Sequence, residues 1–180
     1  MLNNRNDAYE LLRKLGASSH LICHLQLVGE AADELLQGYA ELGVKIDSVL
    51  VELGAAVHDA GKIEHPAEIY DSGSLHELAG EKLLLAQGVQ SSVARCCVTH
   101  ASWKNGGLSL EEMTVALADN LWKGKRAPEL ELLIINEIAS KSGCQMWDIF
   151  LHLDALFEKI ANDGDIRLQR SREYSVRSKE

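Results

Sequence analysis

Two strong ligand side chains, His58 and Asp59, stand side by side at the end of the apolar run Val49 to Val57, just before Gly61-Lys62. A carboxylate that closes a buried helix carries a heavy desolvation cost unless something neutralises it. A cation removes that cost, and imidazole nitrogen with carboxylate oxygen is a mixed donor set suited to Mn, Fe, Co, Ni, Zn or Mg. The four cysteines, Cys23, Cys96, Cys97 and Cys144, include no C-x-x-C pair, which argues against a structural zinc cage. Metal-bound water has its pKa lowered from about 15.7 towards neutrality, and the cation can also polarise a phosphoryl oxygen. Lys62, three residues beyond Asp59, adds an ammonium beside this pair.

Further cations follow at Lys104, Lys123, Lys125 and Arg126 and can form a basic rim for substrate phosphate; the alternative is a set of solvated helix ends that complement the macrodipole. Trp103 and Trp122 offer faces for a nucleobase, although core packing is the commoner use of the residue. Glu64 and Glu77 are candidate partners for the second ring nitrogen of a ligating histidine. His76-Glu77 begins like the H-E-x-x-H motif of zinc peptidases, but Gly80 stands where the second histidine must be, which excludes that chemistry.

These residues need helices to position them. Apolar positions recur at three and four residues throughout, and no segment alternates with period two, so the expected fold class is all-α, a single helical bundle of about seven to eight helices. The first helix covers about 7–16, and Ser18 or Ser19 caps a second that carries Leu21, Leu25, Val28 and Leu35, with Gly38 and Gly43 bracketing the next loop. Asp47 or Ser48 caps a third that stops near Gly61, and Ser74 with Glu77 reads as a capping box that puts His76 in the first turn of a fourth. A fifth helix over 90–101 carries His100 at its end, and Ser109 with Glu112 opens a sixth that runs through Asp119. Helices at about 128–142 and 145–163 complete the bundle.

The length of 180 residues fits one domain, expected over 1–166, with a polar, Arg-rich and loosely ordered tail at 167–180. A formal charge of −9 argues against binding a nucleic-acid polymer, which requires a cationic surface, but not against a small phosphorylated substrate in a locally positive cleft. No apolar run of membrane-spanning length and no secretory leader is evident, so no membrane partner and a cytoplasmic location are expected, with reduced thiols. Assembly into a homo-oligomer is left open.

Taken in order, the pattern H…HD…H…H…D resembles the HD superfamily of metal-dependent phosphohydrolases, over roughly residues 20–126. His24-Leu25-Gln26-Leu27-Val28 looks like its first helix and Val57-His58-Asp59-Ala60-Gly61-Lys62 like its signature. His76-Glu77-Leu78-Ala79-Gly80, Val98-Thr99-His100 and Leu117-Ala118-Asp119 look like its later motifs. The resemblance implies that His24, His58, Asp59 and Asp119 bind one divalent ion, and that Asp59 bridges to a second held by His76 and His100. It favours His24 over His20 as first ligand, because Val28 and Ala31 supply the apolar frame; His65 and His152 are read as solvated or structural. Asp59 would orient a metal-activated hydroxide, and Lys62, where members of the family often carry a lysine, would clamp phosphate charge, since an ammonium suits a transition state spread over equatorial oxygens. The activity implied is a phosphomonoesterase or phosphodiesterase acting on a nucleotide or other small phosphoester. A mononuclear site without His76 and His100, a di-iron oxygenase using the same six ligands, and a non-catalytic nucleotide-binding regulatory module stand as alternatives.

Overall fold

Side-chain caps set several of the helix starts. In the computed structural model, which describes residues 1–177, Asn4 accepts from the Asp7 amide to open α1 (Arg5–Lys14), and Ser18 from Leu21 to open α2 (Ser19–Glu41). Asp47 does the same for α3 (Ser48–Val57), and Ser109 with Glu112 forms a reciprocal capping box at α7 (Leu110–Leu121). The remaining helices are α4 (Leu75–Ala86), α5 (Ser91–Ala94), α6 (Cys96–Ser102), α8 (Pro128–Ser142), α9 (Met146–Asn162) and α10 (Gly164–Arg177). No strand occurs among the described residues, and none of their helices is long and apolar enough to cross a membrane.

α2 is the axis of the bundle. One set of its side chains (Leu27, Val28, Ala31, Leu35) packs with α7, α8 and α9 around Leu117, Ile134 and Phe157, and another (Leu21, Ile22, Leu25) packs with α1, α3 and α5 around Leu12, Leu53 and Val93. α2 runs through Gly38 to Glu41 instead of ending at the glycine, because a Cβ at Gly38 would lie 2.3 Å from the Leu156 side chain; the residue admits α9 and does not break the helix.

Three further expectations are corrected. The fifth helix is interrupted at Arg95 and becomes α5 and α6. Ser74 makes no side-chain cap; the Glu68 carboxylate instead accepts from the Leu75 amide (3.2 Å) and the His76 amide (3.1 Å) at the start of α4. The segment from Arg167, expected to be loosely ordered, continues as α10 to Arg177; residues 178–180 of that tail lie outside the described part. α10 docks because Arg167, 4% exposed, donates to the Ile160 carbonyl (2.8 Å) and pairs with Glu34 of α2.

Candidate metal centre

The centre begins where α3 ends. His58 is the C-cap of α3, and Asp59 opens the 3-10 turn Ala60–Ile63, so the two side chains leave the helix together into the interior, 0% and 2% exposed. α2 supplies His24, the first turn of α4 supplies His76, α6 supplies His100, and the last turn of α7 supplies Asp119. The approach of α4 depends on two glycines: a Cβ on Gly61 would sit 1.9 Å from the His76 carbonyl oxygen and 2.5 Å from the Gly80 nitrogen.

All six expected ligands converge. His24 Nε2 lies 2.9 Å from Asp59 Oδ2 and 3.8 Å from Asp119 Oδ1; His58 Nε2 lies 3.7 and 3.6 Å from the same two oxygens. The other Asp59 oxygen, Oδ1, faces His76 Nε2 at 3.2 Å and His100 Nε2 at 3.7 Å. Two triads of possible ligand atoms result, His24 with His58 and Asp119, and Asp59 with His76 and His100, each within 4.8 Å. Donors that sit about 2.0–2.2 Å from one ion are separated by roughly 3–4 Å, the spacing seen in most of these contacts.

Ring orientation points the same way. Nδ1 of His58 faces the Ala55 carbonyl (3.0 Å) and Nδ1 of His100 the Cys96 carbonyl (3.1 Å). A carbonyl can only accept, so each Nδ1 carries a proton and Nε2 is the nitrogen turned to the centre, where the neutral ring would offer its lone pair to a cation. His76 Nδ1 lies 2.6 Å from Glu68 Oε2, which does the same for the third ring. The Nε2 atoms of His24, His58 and His76 are buried and make no hydrogen bond, an arrangement costly for a polar atom unless it serves as a ligand. The donor set thus fits a divalent cation.

Charge is held tightly here. Burial would favour a neutral carboxyl at Asp59, but the charge of His58 and the close imidazoles of His24 and His76 outweigh it and keep the group well below the usual carboxylate range. Asp119 is depressed in the same way: the contact with His58 outweighs burial, with Lys123 adding to it. Burial, reinforced by the charge of His58, pushes His100 down to about 4, so that ring is neutral at physiological pH.

The cavity beside the cluster holds about 430 Å³ and is lined by five of the six, His58 lying behind them, with His20, Lys62, Trp122, Lys123 and residues of α10. Lys62 Nζ sits 2.6 Å from Asp59 Oδ2 and Lys123 Nζ 3.2 Å from Asp119 Oδ2, so both ammonium groups border the ligands. Trp122 packs its ring 4.9 Å from that of His24.

Two of the proposed phosphate-binding residues are elsewhere. Lys104 is in the 3-10 turn Trp103–Asn105, pairs with Glu129 at 2.9 Å and does not line this cavity. Arg126 is held by Glu131 (2.7 and 2.8 Å) and by Asp154, tying the α7–α8 loop to α8 and α9. Neither residue borders the cavity that Lys62 and Lys123 line. Trp103 and His65 also lie outside the cavity lining, and His152 borders a separate hollow.

Glu68 takes the place for which the sequence offers Glu64 and Glu77. Its position in the 3-10 turn Pro66–Ile69 has no periodic signature, and only the return of the chain to α4 brings it to His76. Glu68→Ala is expected to weaken metal binding about 10–100-fold, the usual effect of losing a carboxylate behind a ligating histidine. Calorimetric titration of metal-free protein checks this, and an unchanged affinity would remove Glu68 from the centre.

Helices that gather four imidazoles and two carboxylates beside one cavity define an all-α protein with a histidine–aspartate cluster able to hold a metal. The chain belongs to the HD domain family, whose model matches residues 7–122. It is also similar to a tRNA (cytidine(56)-2'-O)-methyltransferase of Thermoplasma volcanium, 28% identical over 154 residues, an alignment that covers 76% of this chain and 41% of that protein. The chain therefore spans less than half the length of that relative. No solved structure matches it.

Proposed function

We propose that the protein is a metal-dependent phosphohydrolase that cleaves a nucleotide or another small phosphoester. The observation that carries this reading is the placing of Asp59, whose Oδ1 faces His76 and His100 of its own triad while Oδ2 faces His24 and His58 of the other, with Lys62 at hydrogen-bond distance from the same carboxylate. His24, His58 and Asp119, with Asp59 Oδ2, would hold one divalent cation; Asp59 Oδ1, His76 and His100 would hold a second. Such cations supply an acidified water and positive charge for the phosphoryl oxygens.

The chain's own residues do the rest. Asp59, ionised and fixed between the triads, orients the attacking water towards phosphorus. Lys62 and Lys123 place ammonium groups at the cavity wall, where low polarisability of the surroundings strengthens their hold on equatorial phosphoryl oxygens. The buried rings of His58, His76 and His100 keep bulk water away from that face of the centre. In hydrolysis a bond forms from water oxygen to phosphorus as the ester P–O bond breaks, releasing phosphate and an alcohol, or two fragments from a diester.

The relative named as a tRNA methyltransferase raises the question of an RNA substrate. A polymer would need a cationic track for its phosphates, whereas this chain carries −9 overall and commits Lys104 and Arg126 to its own carboxylates. The small-molecule reading is the better supported.

The test is a screen of protein loaded separately with Mn, Fe, Co, Ni, Zn and Mg against nucleoside mono-, di- and triphosphates, cyclic nucleotides and dinucleoside polyphosphates. Release of phosphate or nucleotide, lost in His58→Ala, supports the reading; fully loaded protein inert on every class overturns it. Lys62→Met is expected to lower kcat about 10²–10³-fold while metal stoichiometry stays at the wild-type value, as for removal of one preorganised charge donor. If metal content fell in parallel with kcat, Lys62 would be a support for the centre and not a phosphate clamp.

A further inference from the structure

The family match ends at residue 122, yet two residues of α10, Leu168 and Ser171, line the same cavity as Asp59 and His76. α10 is pinned there at two points one turn apart. Arg167 pairs with Glu34, and Arg170 makes two bonds of 2.7 Å to Glu30; both acids are on α2, the helix that also carries Leu21 and His24 to the cavity. The register of α10 against the ligand-bearing helix is therefore set by paired charges four residues apart on one helix and three apart on the other.

The chemistry of the lining divides in two. Lys62, Lys123 and the ligand cluster suit a phosphate, whereas Leu21, Ile69 and Leu168 are apolar, and His20 stacks on the Tyr70 ring at 5.7 Å. A volume of about 430 Å³ accommodates one small molecule and not a polymer. We propose that α10 is the specificity wall of the site, with Leu168 and Ser171 contacting the organic half of a small phosphomonoester of the nucleoside monophosphate kind. This rests on the phosphohydrolase reading and adds to it the element that selects among phosphoesters.

The experiment is calorimetric titration of the full chain, loaded with Mn, using inorganic phosphate and adenosine 5'-monophosphate as separate probes. Wild-type protein should bind the nucleotide at least about tenfold more tightly than phosphate, the difference measuring contacts with the organic half. Leu168→Trp, which fills the wall, should weaken the nucleotide about tenfold or more and phosphate less than about twofold. Leu168→Ala, which cannot clash, should weaken the nucleotide about threefold through lost apolar contact. Equal affinity of the wild type for both probes, unchanged nucleotide binding in both variants, or parallel loss of phosphate would each overturn the role of α10. Binding of neither probe by the wild type would instead sink the phosphohydrolase reading, and the wall with it.

Discussion

Asp59→Asn is expected to yield a folded protein whose melting temperature no longer rises with added metal and whose turnover is lower by on the order of 10³-fold or more. Both effects follow from one carboxylate serving both triads: Oδ2 faces His24 and His58, and Oδ1 faces His76 and His100. An amide keeps the shape but lacks the charge and one ligand oxygen, so it would disable both halves at once. For the wild type, an ion present at 100 times its Kd stabilises the fold by about 2.7 kcal/mol. In the variant that increment should vanish, because Asp119 is then the one carboxylate left among the ligands and cannot compensate the charge of two buried divalent ions. The metal-free fold should survive, since a neutral side chain 2% exposed is easier to bury than a carboxylate. Scanning calorimetry with and without Mn, and turnover on whichever phosphoester the screen identifies, are the measurements. Wild-type metal stabilisation in Asp59→Asn would disprove the shared-carboxylate centre.

Gly61→Ala is the second large effect, and it acts on stability before chemistry. The added methyl carbon would lie 1.9 Å from the His76 carbonyl and 2.5 Å from the Gly80 nitrogen, both backbone atoms that cannot swing aside. α4 must then move away from the turn Ala60–Ile63, taking His76 with it. We expect a loss of about 3 kcal/mol or more in urea unfolding, at the upper end of overpacking effects, together with weaker metal binding. Gly88→Ala is the control: Gly88 has φ +73 but no neighbour within 4 Å, so only the left-handed backbone is penalised, by about 1–2 kcal/mol. If Gly61→Ala unfolded within about 1 kcal/mol of wild type, the close approach of α4 would not be what positions His76.

Much of the helical framework was legible because caps and apolar spacing are local. Ser18, Asp47 and the Ser109–Glu112 box each open a helix where expected, since their side chains need only an amide three residues away. The misreadings have a common origin in long-range contact. Gly38 looked like a stop signal, but it is a point where α9 comes too close for a Cβ, and no local pattern separates the two uses of glycine. Ser74 had the spacing of a capping box and lost the position to Glu68, a stronger acceptor supplied from another turn. The Arg-rich C-terminal segment read as a loose tail because its charges find their partners more than 130 residues away, on α2.

By itself the sequence determined the helical class, the residue types able to ligate a cation, and their order along the chain, because periodicity and side-chain chemistry are properties of the residues. Only tertiary structure decided that four imidazoles and two carboxylates meet, that Glu68 holds His76, that Lys62 and Lys123 face the cavity while Lys104 and Arg126 turn to acidic neighbours, and that α10 forms one of its walls. The physical reason is range. A helix start depends on atoms within one turn, whereas a cluster drawn from α2, the end of α3, α4, α6 and α7 depends on which apolar faces pack together and how closely glycine lets two backbones approach.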